Sequence, residues 1–235
     1  MHGLILAGGE GSRLAADGIQ DAKVTVTIAG RPQIRGLVEI LDQLGCPTIT
    51  CMVRDAVRAP AVRALDGFDP AVRILSCHTP SSLHTLAEGL AATPPGPVFC
   101  TMVDTVMRAS DWGATYGSAR ALLAEGADAV LAVTPFVDDE RPLWVERDAV
   151  GYVRRLGSEP VSPPCVTGGV YAFGRAARAE VVDAVEAGVT RMRGFLARLV
   201  DAGARVATVE VARIVDVDRR RDLELANAWL GDEAS

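Results

Sequence analysis

Along the first 135 residues, short apolar runs alternate with amphipathic stretches. Residues 3–7 are continuously apolar after Gly3 and stop at Gly8, the length and ending of a buried strand. From Arg31-Pro32-Gln33 onward, Ile34, Leu37, Val38, Leu41 and Leu44 recur at helical spacing, and Gly45 closes the pattern. Strand-like runs follow at 48–53, 72–76, 97–103 and 127–134, with helical stretches near 82–92 and 111–124. Strands alternating with helices predict an α/β fold: a mostly parallel sheet covered on both faces.

The rhythm then changes. Residues 143–147 and 150–156 predict a β-hairpin turning at Asp148-Ala149, and 159–164 is a proline-rich loop. A strand at 169–173, helices near 175–187 and 191–202, short strands at 205–211 and 213–217, and a last helix ending near Leu230 complete the chain. No internal repeat or linker interrupts it. One domain over 1–235 is expected, with the hairpin an insertion that builds the second half of a cleft.

Composition narrows the chemistry. The 235 residues are 49% hydrophobic, so a sizeable core can be buried. The formal charge of -6 and the lack of a basic run argue against a nucleic-acid surface. No stretch reaches the ~20 apolar residues of a membrane span, and the N-terminus does not read as a signal peptide. The five cysteines contain no C-x-x-C and the three histidines lack zinc spacing. A cytoplasmic protein with reduced thiols is expected, and a homodimer is compatible with the sequence. Of the 24 basic residues, only Lys23 is a lysine. In a chain that otherwise uses arginine, a retained compact ammonium marks a position where geometry matters; chance survival is the alternative.

After the first strand comes Leu6-Ala7-Gly8-Gly9-Glu10-Gly11-Ser12-Arg13-Leu14. Glycines let a backbone approach phosphates closely, and an arginine offers a forked donor pair to a phosphate oxygen. The dinucleotide fingerprint fails because Leu14 stands at its third glycine. The P-loop fails because Gly9-Glu10 follows Gly8. Residues 6–14 resemble the L-A-G-G-x-G-x-R-L/M signature of the sugar-phosphate nucleotidyltransferases, a family that includes the NDP-sugar pyrophosphorylases and shares its fold with cytidylyltransferases and molybdenum-cofactor guanylyltransferases of the MobA-like type. The resemblance implies a Rossmann-like three-layer α/β/α fold, with about 1–135 binding nucleotide and about 136–235 binding an acceptor. It implies nucleotide contacts from Leu6, Ala7, Gly8, Gly9, Gly11, Ser12 and Arg13.

The resemblance extends further. Lys23 falls where relatives carry a Pro-Lys-Pro-Leu segment, although Ala22 and Val24 replace the prolines, and Gly30-Arg31-Pro32 matches a Gly-x-Pro before a helix. The strand ending in Val103-Asp104 matches one whose aspartate holds magnesium, with Val103 in place of a glycine. Asp216-Val217-Asp218 lies where relatives have Asp-x-Asp-Thr-Pro-Glu-Asp-Leu, and Arg219-Arg220-Arg221 replace Thr-Pro-Glu. Asp104 and Asp216 are therefore the expected Mg2+ ligands, and Asp218 the expected cap of the last helix. Gly168, Gly169 and Tyr171 match a segment lining the acceptor pocket. The lysine that usually holds the acceptor phosphate is absent near Glu159, and Arg155 or Arg154 is its expected substitute. Ser81, Ser82 and Thr85 lie where relatives contact the nucleobase; their short hydroxyls suit a pyrimidine or merely cap a helix.

An acceptor phosphate is already an anion near neutral pH, so alignment and charge neutralisation by Arg13, Lys23, Asp104 and a bound Mg2+ would suffice, with no general base. The expected partners are a nucleoside triphosphate and a small phosphorylated acceptor: a sugar 1-phosphate, or a polyol or alcohol phosphate or a phosphonate. A nucleotide-sensing regulatory subunit of the same fold is the alternative reading.

Overall fold

The structure is a computed structural model and describes residues 1–68 and 72–231. The chain opens with β1 (His2–Ala7), the short helix α1 (Ser12–Ala16), and a tight hairpin of β2 (Thr27–Ile28) and β3 (Arg31–Pro32) that leads into α2 (Gln33–Gln43). Next come β4 (Ile49–Arg54), α3 (Asp55–Ala64), β5 (Val72–Cys77), α4 (Ser82–Ala92), β6 (Val98–Met102), β7 (Thr105–Val106), α5 (Ala109–Ala124) and β8 (Ala129–Thr134). The later part has β9 (Trp144–Arg147), β10 (Val153–Gly157), β11 (Val166–Phe173), α6 (Arg175–Glu186), α7 (Met192–Asp201), β12 (Val206–Glu210), β13 (Val215–Asp216) and α8 (Arg220–Gly231).

One nine-stranded sheet runs β5-β4-β1-β6-β11-β8-β12, with the β9–β10 hairpin joined at the start of β11. β1 pairs in parallel with both β4 and β6. The chain thus travels outward from β1 to β5 and returns to the other flank of β1. The crevice beyond the carboxyl ends of β1 and β6 is the switch point where open α/β sheets hold ligands. β11 alone runs antiparallel between β6 and β8, because a hairpin and loop lead into it rather than a crossover helix.

Alternation along β1 builds the three layers. Leu4 and Leu6 face Leu83, Leu86 and Leu90 of α4, whereas Ile5 and Ala7 face Ile34, Leu37 and Leu41 of α2. Each such leucine or isoleucine contributes about 1.5–3 kcal/mol by burial. A third, smaller core joins Leu14, Val26, Ile28, Val106, Val215, Val217 and Ala226. It packs α1, the segment after Lys23, β7, β13 and α8 onto one another, and those elements frame the crevice.

The predicted helices and strands of the main sheet recur within a few residues. α1 and α3 went unpredicted: α1 has five residues, and α3 buries only Ala61 and contains Pro60, so neither carries a clear apolar stripe. β2, β3 and β7 are two residues each, too short to leave a period, and the strand expected at 213–217 is reduced to the two residues of β13. The hairpin turn is longer than the Asp148-Ala149 dipeptide. Asp148 Oδ1 accepts from the N–H groups of Val150 at 3.0 Å and Tyr152 at 2.9 Å, and Gly151 supplies φ 90°. All five cysteines are free and buried. Among the described residues, no helix is long and apolar enough to cross a membrane.

Candidate active site

The glycine loop leaves β1 at the switch point. Leu6 and Ala7 are buried, and the Leu6 carbonyl accepts from Val103 N–H at 3.0 Å, joining the loop's root to the end of β6. Gly8 passes so close to α4 that a Cβ there would lie 2.7 Å from Thr85 Oγ1. Gly9 is open to solvent, and Gly11 takes φ 65° as the chain enters α1 at Ser12. The loop, Arg54, Ser81, Ser82 and Met102 line a cleft of about 770 Å³ that opens to solvent.

The hydroxyls expected to read a base are already engaged. Thr85 is 1% exposed; its Oγ1 meets Thr79 Oγ1 at 2.5 Å and donates to the Ser81 carbonyl at 3.0 Å. Ser81 Oγ accepts from His84 N–H at 3.4 Å and lies 2.9 Å from His84 Nδ1, capping α4. Thr85 and Ser81 therefore shape and buttress the wall of the cleft, and the pyrimidine expectation drawn from them finds no free hydroxyl at either. Ser82 lines both this cleft and its neighbour.

Lys23 sits at the centre. A turn anchored by buried Val24 and Val26 presents it to the crevice, where its side chain is only 12% exposed. Nζ donates to Asp104 Oδ2 at 2.6 Å and also to Asp218 Oδ1. Burial alone would lower the lysine pKa, but the charges of Asp104 and Asp218 outweigh it and raise the value. Arg13 Nη1 donates to the other oxygen of Asp218 at 2.7 Å. One carboxylate thus holds both cations of the loop side. The expectation that Asp218 caps the last helix is overturned: Asp222 Oδ2 accepts from the N–H groups of Asp218 at 3.1 Å and Arg219 at 2.8 Å. The arginines that replace the usual residues have a structural use. Arg220 Nη2 donates to the Asp17 carbonyl at 2.8 Å, fastening the start of α8 to the end of α1, and Arg219 Nε to Glu140 at 3.0 Å, tying it to the loop after β8.

Asp216 reaches the same point through a two-strand ladder. β13 pairs antiparallel with β7, setting Asp216 opposite Thr105, and Val217 N–H donates to the Asp104 carbonyl at 2.9 Å. Burial, then the charges of Asp104 and Asp218, push the Asp216 carboxyl up to about 8. A cluster short of positive charge and offering only carboxylate oxygens suits a hard divalent cation such as Mg2+. Among the described residues, no three His, Cys, Asp or Glu side chains are arranged to enclose a metal. The protein would supply two carboxylates, and phosphate oxygens and water the remaining positions.

The acceptor-side glycines are sterically required. A Cβ on Gly168 would collide with Ile214, and one on Gly169, where φ is 72°, with Thr105 Oγ1. The register of β11 against β8 shifts between Thr167 and Tyr171, and this irregularity brings the two glycines up to β7 and β13. Tyr171 is buried behind them. Burial raises its phenol pKa, reinforced by the charges of Asp216, Cys100 and Asp104. Gly169 and Tyr171 line a second cleft of about 1290 Å³, open to solvent, with Asp104, Asp139, Arg141, Arg191 and Arg193. Arg155 does not line it. The side chain lies on exposed β10 with Nε 2.9 Å from Glu146, and Arg154 pairs with Asp148 at 3.3 Å. Both point to partners within the hairpin, so neither replaces the missing lysine. The arginines that do line the cleft, Arg141, Arg191 and Arg193, were not singled out in the sequence. The one available signal was a pair of arginines flanking Met192 at the start of a helix.

Comparison with known proteins agrees with this geometry. The profile for the MobA-like NTP transferase domain matches residues 3–204. A structure of the inositol-1-phosphate CTP transferase from T. maritima superposes with a TM-score of 0.77 at 16% identity, over 96% of this chain and 94% of that one. A Bacillus anthracis protein described as a glucose-1-phosphate thymidylyltransferase, in complex with a sucrose, gives 0.81 at 17% identity, over 99% and 96%. No curated protein sequence matches significantly. Identities this low show a shared fold, while the profile match spans most of the chain and begins at β1. The chain belongs to the MobA-like NTP transferase family and is a nucleotidyltransferase of α/β fold.

Proposed function

We propose that this nucleotidyltransferase joins the α-phosphate of a nucleoside triphosphate to a small phosphorylated acceptor of the sugar-phosphate or polyol-phosphate kind, with Mg2+. The observation that carries the reading is that Lys23 is paired with Asp104 and Asp218, and that Asp104, Asp216 and Asp218 line the cleft formed by β11 and α7, which shares Ser82 and Met102 with the cleft rimmed by the glycine loop. The loop-side cleft draws only on residues 6–102, and the second mostly on 139–218. That division supports a single domain with a donor half near 1–135 and an acceptor half near 136–235.

In the proposed reaction, Gly8, Gly9, Gly11 and Ser12 seat the β- and γ-phosphates beside Arg13. Arg13 and Lys23 exchange Asp218 for phosphate oxygens as the triphosphate enters. Lys23 then follows the charge that develops at the α-phosphate. Asp104 and Asp216 would hold the divalent cation, which would supply positive charge against the phosphates. Gly168, Gly169 and Tyr171 form the floor on which the acceptor rests. An acceptor phosphate oxygen forms the new bond to the α-phosphorus, the bond to the β-phosphate oxygen breaks, and pyrophosphate leaves. Catalysis comes from in-line positioning and charge neutralisation, so no proton must be removed.

The test is pyrophosphate release from each of four nucleoside triphosphates against a panel of sugar, polyol and alcohol phosphates with Mg2+. Release with at least one pairing is expected. Tight nucleotide binding without release across the whole panel would sink the reaction and favour a nucleotide-sensing role.

A further inference from the structure

The second cleft carries an unusual balance of charge for a chain with a formal charge of -6. Arg141, Arg191 and Arg193 line it, and none of them has an acidic partner among the described residues. Nearby arginines are neutralised: Arg13 by Asp218, Arg219 by Glu140, Arg221 by Asp222. Three guanidinium groups without a carboxylate partner, lining one cleft, are an anion-binding surface. They come from two elements held together, since Arg193 Nη2 donates to the Arg141 carbonyl at 3.0 Å.

The other lining groups decide what kind of anion. A neutral sugar presents many hydroxyls and is held by side chains that accept as well as donate. This cleft has no asparagine, glutamine, glutamate or histidine among its described lining residues; outside the central carboxylates the side chains that can accept are Asp139 and the hydroxyls of Ser82, Thr167 and Tyr171. The remaining wall is apolar: Met102, Leu143, Met192 and Leu196. The reacting phosphate must lie beside Asp104 and Asp216. One of the three guanidinium groups can serve the reacting phosphate, which leaves two for a further anionic group.

Building on the reaction proposed above, we infer that the acceptor carries a second anionic group, a carboxylate or another phosphate, beyond its reacting phosphate, held by two of Arg141, Arg191 and Arg193. A neutral aldose 1-phosphate leaves those guanidinium groups unanswered, and a cationic alcohol phosphate is repelled by them.

Matched acceptors isolate the extra charge. Glucose 1-phosphate and glucuronic acid 1-phosphate differ only in oxidation at C6; glycerol 3-phosphate and 3-phosphoglycerate form a second, smaller pair. In each pair, binding to the wild-type protein is measured by calorimetry without nucleotide, and turnover by pyrophosphate release. The acidic member of at least one pair is expected to be favoured roughly tenfold to a hundredfold, the range for a charge-assisted hydrogen bond. Arg141→Gln or Arg191→Gln should collapse that preference to within about twofold, while Arg155→Gln should leave it in place. Equal use of both members in both pairs, preference for the neutral member, or a preference that survives both substitutions overturns the inference. The two readouts separate it from the reaction: selective binding of the acidic member without pyrophosphate release refutes the reaction alone, and release with no selectivity refutes the second anionic group alone.

Discussion

The two clefts, which share Ser82 and Met102, are built by opposite means. The loop-side cleft depends on consecutive residues, 6–14, whose backbone does most of the shaping; the requirement at Gly8 is the absence of a Cβ against Thr85. The other cleft is assembled from side chains at 139–143, 167–171 and 191–196, which meet only because β11 is inserted antiparallel beside β6. A triphosphate is the same in every nucleotide, so a short backbone motif can serve it wherever it recurs. An acceptor's identity rests on a few side chains, and those are free to differ without altering the fold.

The contrast can be tested first at the carboxylate on which both substrates are proposed to depend. Asp104→Asn should lower turnover by roughly 10²–10³ or more, since it removes a charge on which both substrates depend. Steady-state kinetics should place the loss in kcat rather than in one KM. A loss confined to the KM of the triphosphate would move Asp104 out of the shared centre.

Lys23→Arg should cost on the order of 10² in kcat, and Lys23→Ala at least as much. The longer planar guanidinium does not reproduce a point charge that sits between Asp104 and Asp218 at 12% exposure. Near-native turnover of Lys23→Arg would show that charge alone matters at this position.

Gly8→Ala should separate the two sides. Its Cβ must displace Thr85 or the loop, an overpacking cost of about 1–3 kcal/mol, equal to a melting-point fall of roughly 2–4 °C per kcal/mol for a chain of this size. The KM for the triphosphate should rise while the acceptor KM changes little. Thr85→Ser in the same chain removes the methyl but keeps the close oxygen, so it should restore only part of the stability. Full restoration would locate the clash at the methyl instead.

A further effect concerns Asp216 and is read without substrate, in a chelator. Burial and the charges of Asp104 and Asp218 push the folded-state carboxyl up to about 8, far above the ordinary carboxylate value of about 4. Between those values the native state keeps a proton that the unfolded chain has lost, so stability falls as pH rises from about 4 to about 8. Asp216→Asn removes that dependence. Its melting temperature relative to wild type should therefore climb across this window. A difference that stays flat with pH would mean Asp216 is already ionised in the folded protein. A parallel Mn2+ titration followed by electron paramagnetic resonance sharpens the ligand assignment: greater loss of affinity in Asp218→Asn than in Asp216→Asn would exchange their proposed roles.

The sequence by itself determined the alternating α/β architecture and the glycine loop at the end of β1, and it singled out the solitary lysine and the neighbourhood of Asp104 and Asp216. Each of these is written in local periodicity or in a contiguous motif, where the backbone repeats every two or 3.6 residues and leaves a readable trace. Only the tertiary structure decided that Asp218 grips Arg13 and Lys23 while Asp222 caps α8. It likewise showed that Thr85 supports Gly8, and that Arg155 spends its charge on Glu146 while Arg141, Arg191 and Arg193 face the cleft. An arginine looks the same in sequence whether or not a carboxylate meets it. Which charges are neutralised depends on contacts between residues tens to hundreds of positions apart, and those are settled when the sheet closes its order and the small core beneath α8 draws β7, β13 and the Lys23 segment together.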